Sequence, residues 1–167
     1  MKKSTILLSV VLILTTNMLF GQEDGSYKQV PELNNYEGTW QWQSNDSIFT
    51  ICLVKTVFNL KKMLDSNPNA SVDVIIGWYE FKVRNKVIQS SLNLKNKKYD
   101  YNRKNQTFVA SLQGDYLRIS SFYELSNNVK VDGGTFTLIE GGKKAILRLL
   151  GNKLTIPSND IILQRIN

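Results

Sequence analysis

Between Tyr36 and Gln43 two kinds of side chain take strict turns, with Tyr36, Gly38, Trp40 and Trp42 on even positions and Glu37, Thr39, Gln41 and Gln43 on odd ones. A period of two sends alternate side chains to opposite faces, so this stretch reads as a half-buried strand with both indoles on one side. Asn45-Asp46-Ser47 supplies a turn, and Ile48 to Phe58 is β-branched and aromatic enough for a long second strand. Its apolar parity changes near Val54 and Lys55, which predicts a bulge or an early strand end. A short helix through Val57, Leu60, Lys61 and Leu64, closed by Asn67-Pro68, is the competing reading of the stretch that follows.

Val72 to Val83 and Val87 to Leu94 read as the third and fourth strands, joined by a hairpin at Arg84-Asn85-Lys86 in which Asn85 tolerates positive φ. Further strand-like runs are Lys98 to Tyr101, Thr107 to Leu112, Tyr116 to Leu125, Thr135 to Glu140, Ala145 to Leu150 and Ile161 to Ile166. Gln113-Gly114-Asp115, Asp132-Gly133-Gly134, Gly141-Gly142 and Pro157-Ser158-Asn159 punctuate them as turns. The pattern therefore predicts an all-β chain, an antiparallel meander of eight to ten strands without the helices of βαβ units. Closure into a barrel removes exposed edges and is preferred; a two-sheet β-sandwich is the alternative.

The first residues follow another logic. Lys2 and Lys3 precede an apolar run from Ile6 to Leu14 broken only by Ser9, and Gly21 offers a small residue for cleavage. The stretch to Phe20 is shorter than the roughly 20 apolar residues that span a bilayer, so residues 1–21 are expected to be a cleaved secretory signal. The single Cys is Cys52, away from the cleavage point, which argues against lipid attachment. Residues 22–34 are polar, with one Pro, and read as a flexible lead-in; the domain is then 35–167. An exported, periplasmic or extracellular protein follows, monomeric and without a membrane-spanning segment once the signal is removed.

Composition then narrows the chemistry. The 167 residues contain no His and one Cys, which leaves no imidazole base, no Ser-His-Asp triad, no His-ligated metal and no internal disulfide. Cys52, between Ile51 and Leu53, reads as a small buried side chain rather than a reactive thiol. No enzyme activity, cofactor or metal is expected. Removing the signal takes two lysines and no acid from a formal charge of +7, so the mature chain stays basic and is drawn weakly to anionic envelope components.

Gly38-Thr39-Trp40 resembles the Gly-x-Trp signature of the calycins, in which the Trp packs across the closed end of the barrel against an Arg near the last strand. The resemblance implies structural roles for Gly38 and Trp40, with Arg148 or Arg165 as the partner. A longer likeness takes in Leu53-Val54-Lys55, the stretch Asp73-Val74-Ile75-Ile76-Gly77-Trp78-Tyr79-Glu80-Phe81 and the stretch from Ile156 to Leu163. It is similar to a family of uncharacterised, exported, lipocalin-like small proteins of Gram-negative bacteria, and implies a lipocalin-like barrel without an activity. A second strand follows the first almost at once, where fatty-acid-binding proteins place two helices, and the Arg-x-Tyr that holds a carboxylate there is missing from Arg165-Ile166-Asn167. A fatty-acid ligand is therefore not implied.

The candidate sites are aromatic or basic. Trp78, Tyr79, Phe81 and Trp42 either line a cavity for a small apolar or amphipathic ligand or simply fill the core of a narrow barrel. Lys97, Lys98, Tyr99, Arg103 and Lys104 interleave cations with an aromatic ring, either as an anion-contacting surface or as a solvated loop. Export makes nucleic acid an unsuitable partner. Arg118 and Arg148 lie in apolar strands, where they face either an anionic ligand inside or water outside. Glu80, Asp115, Glu124 and Glu140 read as surface carboxylates, with a glycosidase-like pair as the alternative. Two functional readings follow: a noncatalytic barrel holding a small molecule, and an envelope-associated protein that acts through its basic outer surface.

Overall fold

A computed structural model describes residues 27–59, 70–95, 107–124, 129–131, 133–151, 154–157 and 160–166. The chain divides into two units, Met1–Lys28 with Asn59–Val72 and Gln29–Phe58 with Asp73–Asn167. In the first unit a two-residue strand, β1 (Tyr27–Lys28), pairs in parallel with Ser71 and Val72.

The second unit is an all-β barrel. Its strands are β2 (Gly38–Ser44), β3 (Ser47–Asn59) as far as Phe58, β4 (Ser71–Val83) from Asp73 on, β5 (Lys86–Ser90), β6 (Phe108–Gln113), β7 (Tyr116–Glu124), β8 (Val129–Val131), β9 (Gly134–Ile139), β10 (Lys144–Leu149) and β11 (Ile161–Arg165). Eight of them form the ring, in the order β4-β3-β2-β11-β10-β9-β7-β6, and β6 returns to β4 through the pairs Ile75↔Ala110, Ile76↔Val109 and Gly77↔Phe108. That closing ladder distinguishes the barrel from the two-sheet sandwich. Off this ring, among the described residues, β5 pairs with β4 and β8 with β7.

Local chemistry sets the hairpins. Arg84 and Asn85 adopt φ of 50° and 59°, the two successive left-handed residues that a tight turn matched to strand twist requires. The β2–β3 turn at Asn45 and Asp46 lies beside it: Arg84 N donates to the Asp46 carbonyl at 2.7 Å, and Arg84 Nε to Asp46 Oδ2 at 3.1 Å.

Parity explains the core. Phe49, Ile51 and Leu53 of β3 and Ile75, Tyr79 and Phe81 of β4 face inward, with Leu117 and Ile119 of β7 and Ala145, Leu147 and Leu149 of β10. Trp40, Tyr79, Phe49, Phe108, Phe122 and Phe136 are all fully buried. Burying each such side chain contributes roughly 1.5–3 kcal/mol, so the aromatic interior is a principal source of stability. Gly77 leaves no room for a side chain: a Cβ there would lie 2.7 Å from Leu53 Cδ2 and 3.0 Å from the Cys52 carbonyl oxygen.

Several elements differ from the sequence pattern. Tyr36 does not begin the first strand; it ends a 3-10 helix, Pro31–Tyr36, whose Leu33 and Tyr36 are buried, so packing begins ahead of Asn35. Pro31 suits the first helical turn because its missing N–H has no partner to lose there. β3 runs unbroken through Val57 to Asn59; the rest of the alternative helix, Leu60 to Pro68, lies outside the described residues. Leu92–Leu94 turns as a 3-10 helix instead of extending β5, and Ser91 just before it is buried, its N–H donating to the Tyr79 carbonyl at 2.8 Å. β7 carries a bulge: Ala110 pairs with Ile119 but Val109 with Ser121, which leaves Ser120 over. The extra residue switches the inward parity from Leu117 and Ile119 to Phe122 and Glu124. The expected signal, the lead-in as far as Ser26 and the run Lys98 to Tyr101 lie outside the described residues. Among those residues no helix is long and apolar enough to cross a membrane.

Candidate binding surface

One end of the barrel is shut by Trp40. Gly38, at φ 122°, opens β2 in a conformation that L side chains rarely adopt, which accounts for glycine two residues before the indole. The Trp40 Nε1–H donates to the Tyr36 carbonyl at 3.0 Å, and its ring meets Phe136 edge-on at 5.2 Å and 79°. The guanidinium of Arg165 lies 4.5 Å from the ring centroid and donates to the Asn35 carbonyl. Arg165 is therefore the partner of Trp40. Arg148 is engaged elsewhere: its Nε and Nη2 donate to the two carboxylate oxygens of Asp160 at 2.5 and 2.6 Å. Those hydrogen bonds, helped by the opposite charge, hold the Asp160 carboxyl below its ordinary value of 3.8. Tyr36 O–H donates to the Asp115 carbonyl at 2.8 Å, and burial first, then the Asp115 charge, raise its pKa above the ordinary 10.0.

The four aromatic residues expected around a ligand do not share a cavity wall. Tyr79 is inside, between Phe122 at 5.1 Å and Phe49 at 5.9 Å, and Phe81 is inside with it. Trp42 is partly buried against the same core. Trp78 points the other way, on the outer face of β4 with Val74 and Ile76, where all three are nonetheless buried. Cys52 is likewise buried.

The other end of the barrel holds a polar network that the sequence pattern hides. Glu124 is fully buried, and its Oε1 accepts from Thr155 Oγ1 at 2.7 Å, Thr155 N at 2.9 Å, Gln89 Nε2 at 3.1 Å and Ile156 N at 3.2 Å. Tyr79 O–H donates to Gln89 Oε1 at 2.8 Å. Glu124 thus pins residues 155–156, ahead of β11, onto the ends of β5 and β7, with Ile156 buried in the core. The other three carboxylates are placed differently: Glu80 pairs with Lys82 at 2.5 Å, Glu140 with Lys144 at 2.8 Å, and Asp115 is exposed in a turn.

Two concavities lined by described residues open outside the barrel. One, of about 650 Å³, is lined by Glu140, Gly141, Gly142, Lys143, Lys144, Gln164, Arg165 and Ile166 near the Trp40 end. Another, of about 540 Å³, crosses the outer wall of β7, β9 and β10 and is lined by Gln113, Tyr116, Arg118, Gly133, Gly134, Thr135, Arg148 and Leu150. Thr135 pairs with both Arg118 and Arg148, so one row across three strands carries guanidinium, hydroxyl and guanidinium. Both arginines are exposed on the outer face. Beneath the row the backbones run close: a Cβ at Gly134 would lie 2.4 Å from the Arg148 carbonyl oxygen. Arg118 has no hydrogen-bond or ion-pair partner among the described residues. The row escapes sequence reasoning because it needs the register of three strands, although the polar positions of Arg118 and Arg148 are visible in each strand. Lys97, Lys98, Tyr99, Arg103 and Lys104 lie outside the described residues. Among the described residues no group of three or more His, Cys, Asp or Glu side chains is placed to hold a metal.

The chain belongs to a family of unknown function, DUF6705, whose model matches residues 1–161. No curated protein and no solved structure matches it.

Proposed function

We propose that this member of the family is an exported, noncatalytic binding protein that meets an anionic partner on the outside of its barrel. The observation that carries the reading is the contrast between interior and exterior. Tyr79 and Phe81, which would contact an enclosed ligand, are packed into a core of fully buried aromatic rings, whereas two grooves lined by described residues open outward and carry more cations than acids. An eight-stranded barrel is just wide enough to be filled by its own side chains. A small apolar ligand inside would have to displace Phe49, Tyr79 or Phe122 from one another. Export is supported by Lys2 and Lys3 ahead of the apolar run Ile6 to Leu14, and the basic composition supports an anionic partner.

The test is cosedimentation of the protein, purified from its own host, with protein-stripped envelope fractions. Binding is expected at about 0.15 M salt and is lost near 1 M, where the Debye length falls to about 3 Å. Absence of cosedimentation, together with a stoichiometric small molecule retained in native mass spectrometry, would replace this reading with the enclosed-ligand one.

A further inference from the structure

We propose that the groove across β7, β9 and β10 is a site for an acidic polysaccharide, with Arg118 gripping a sugar carboxylate. The proposal rests on the outer-surface reading and names its site and ligand class. The starting point is the row Arg118, Thr135, Arg148, fixed by cross-strand register rather than by loop geometry. Neighbouring strands lie about 4.8 Å apart, so the two arginine backbones are separated by about 10 Å, the span of a disaccharide rather than of a single carboxylate.

The two guanidinium groups differ in state. Arg148 is fastened by Nε and Nη2 to Asp160, which fixes its direction and leaves Nη1 uncommitted among the described residues. Arg118 is exposed and has no partner among them, so its planar fork is available for a bidentate carboxylate contact without breaking an existing bond. Between and beside them are the Thr135 hydroxyl, the Gln113 amide and the Tyr116 ring. Hydroxyl and amide groups exchange hydrogen bonds with sugar hydroxyls, and an aromatic face packs against the C–H face of a pyranose. The groove is an open trough in a sheet wall, which lets a polymer pass through where a closed pocket would admit only its end. Among the described residues the lining carries no acid and Asp160 is paired with Arg148, so Arg118 presents a positive charge to the ligand.

Affinity of the full chain for polygalacturonate is measured with dextran as the neutral polymer and polyphosphate as the non-sugar polyanion. Polygalacturonate should bind more tightly than either. Arg118→Gln should weaken that binding about tenfold or more, the loss expected for a hydrogen-bonded charge contact, and Arg118→Lys should fall between, since it keeps the charge and loses the fork. Lys86→Gln, an exposed cation of the β4–β5 hairpin, serves as the charge control and should bind as the unaltered chain does. Equal binding of polyphosphate and polygalacturonate, or equal losses from Arg118→Gln and Lys86→Gln, would overturn the site. Envelope binding that persists in a chain indifferent to polygalacturonate would overturn this inference alone, whereas no envelope binding at all would remove the outer-surface reading beneath it.

Discussion

Tyr36 shows how one residue couples a barrel end to solution conditions. It terminates the 3-10 helix, receives the Trp40 indole N–H on its carbonyl, meets Phe136 at 6.3 Å and donates its hydroxyl to Asp115. Burial disfavours the phenolate, so the folded state holds its proton to higher pH than the unfolded chain does. For a raised pKa the sign follows: the contribution is fully present below the ordinary value of 10.0 and is lost as pH rises through the folded-state value. Chemical denaturation across that alkaline range should therefore show stability falling more steeply in the unaltered chain than in Tyr36→Phe. The substitution itself should cost about 0.5–1.5 kcal/mol at neutral pH, for the lost hydrogen bond. A Tyr36→Phe profile parallel to that of the unaltered chain would mean that the hydroxyl reaches water.

At the scale of elements, Glu124 does the work of a clasp: four donors from β5 and residues 155–156 converge on one of its carboxylate oxygens. Glu124→Ala leaves two backbone N–H groups without that acceptor and should destabilise the fold by about 1–3 kcal/mol, with faster amide exchange at Thr155 and Ile156. Unchanged exchange at those two amides would show that the segment is held by packing alone. Elements of this kind divide what the sequence disclosed from what it concealed. The β2–β3 and β4–β5 hairpins were legible because Asn45-Asp46 and Arg84-Asn85 are local turn chemistry. Glu124 reads as a surface carboxylate in the sequence because nothing local marks Ser120 as the surplus residue that changes the strand's parity. β8 escapes the pattern because Val129-Lys130-Val131 is too short to show alternation, and the 3-10 helix because its buried Leu33 and Tyr36 are three apart, not two. Among the candidate sites, Arg165 and Arg148 were equivalent as strings of letters, and only the register separated the indole partner from the groove residue. Trp78 shares its face with Val74 and Ile76 as the alternation says, but alternation alone does not tell which side of a sheet will become the inside.

Over the whole molecule, the ring is joined unevenly. Among the described residues β6 and β7 share six register pairs, and β9 and β10 also six, while the β4–β6 join that completes the circle has three and the β2–β11 join two. Gly77 sits in the β4–β6 join, against Leu53 and Phe108. Gly77→Val would force a branched side chain into space already filled and should cost about 1–3 kcal/mol or more in urea unfolding. It should also raise the oligomeric fraction in light scattering; a variant as stable and as monodisperse as the unaltered chain would show that the wall yields there. The reason for expecting oligomers lies in the topology. A complete circle presents no free rim, but parting a short join such as β4–β6 creates two at once, each a row of unsatisfied amides and carbonyls able to accept a strand from a neighbouring copy. The short joins that finish the fold are therefore places where one molecule could begin to trade strands with another.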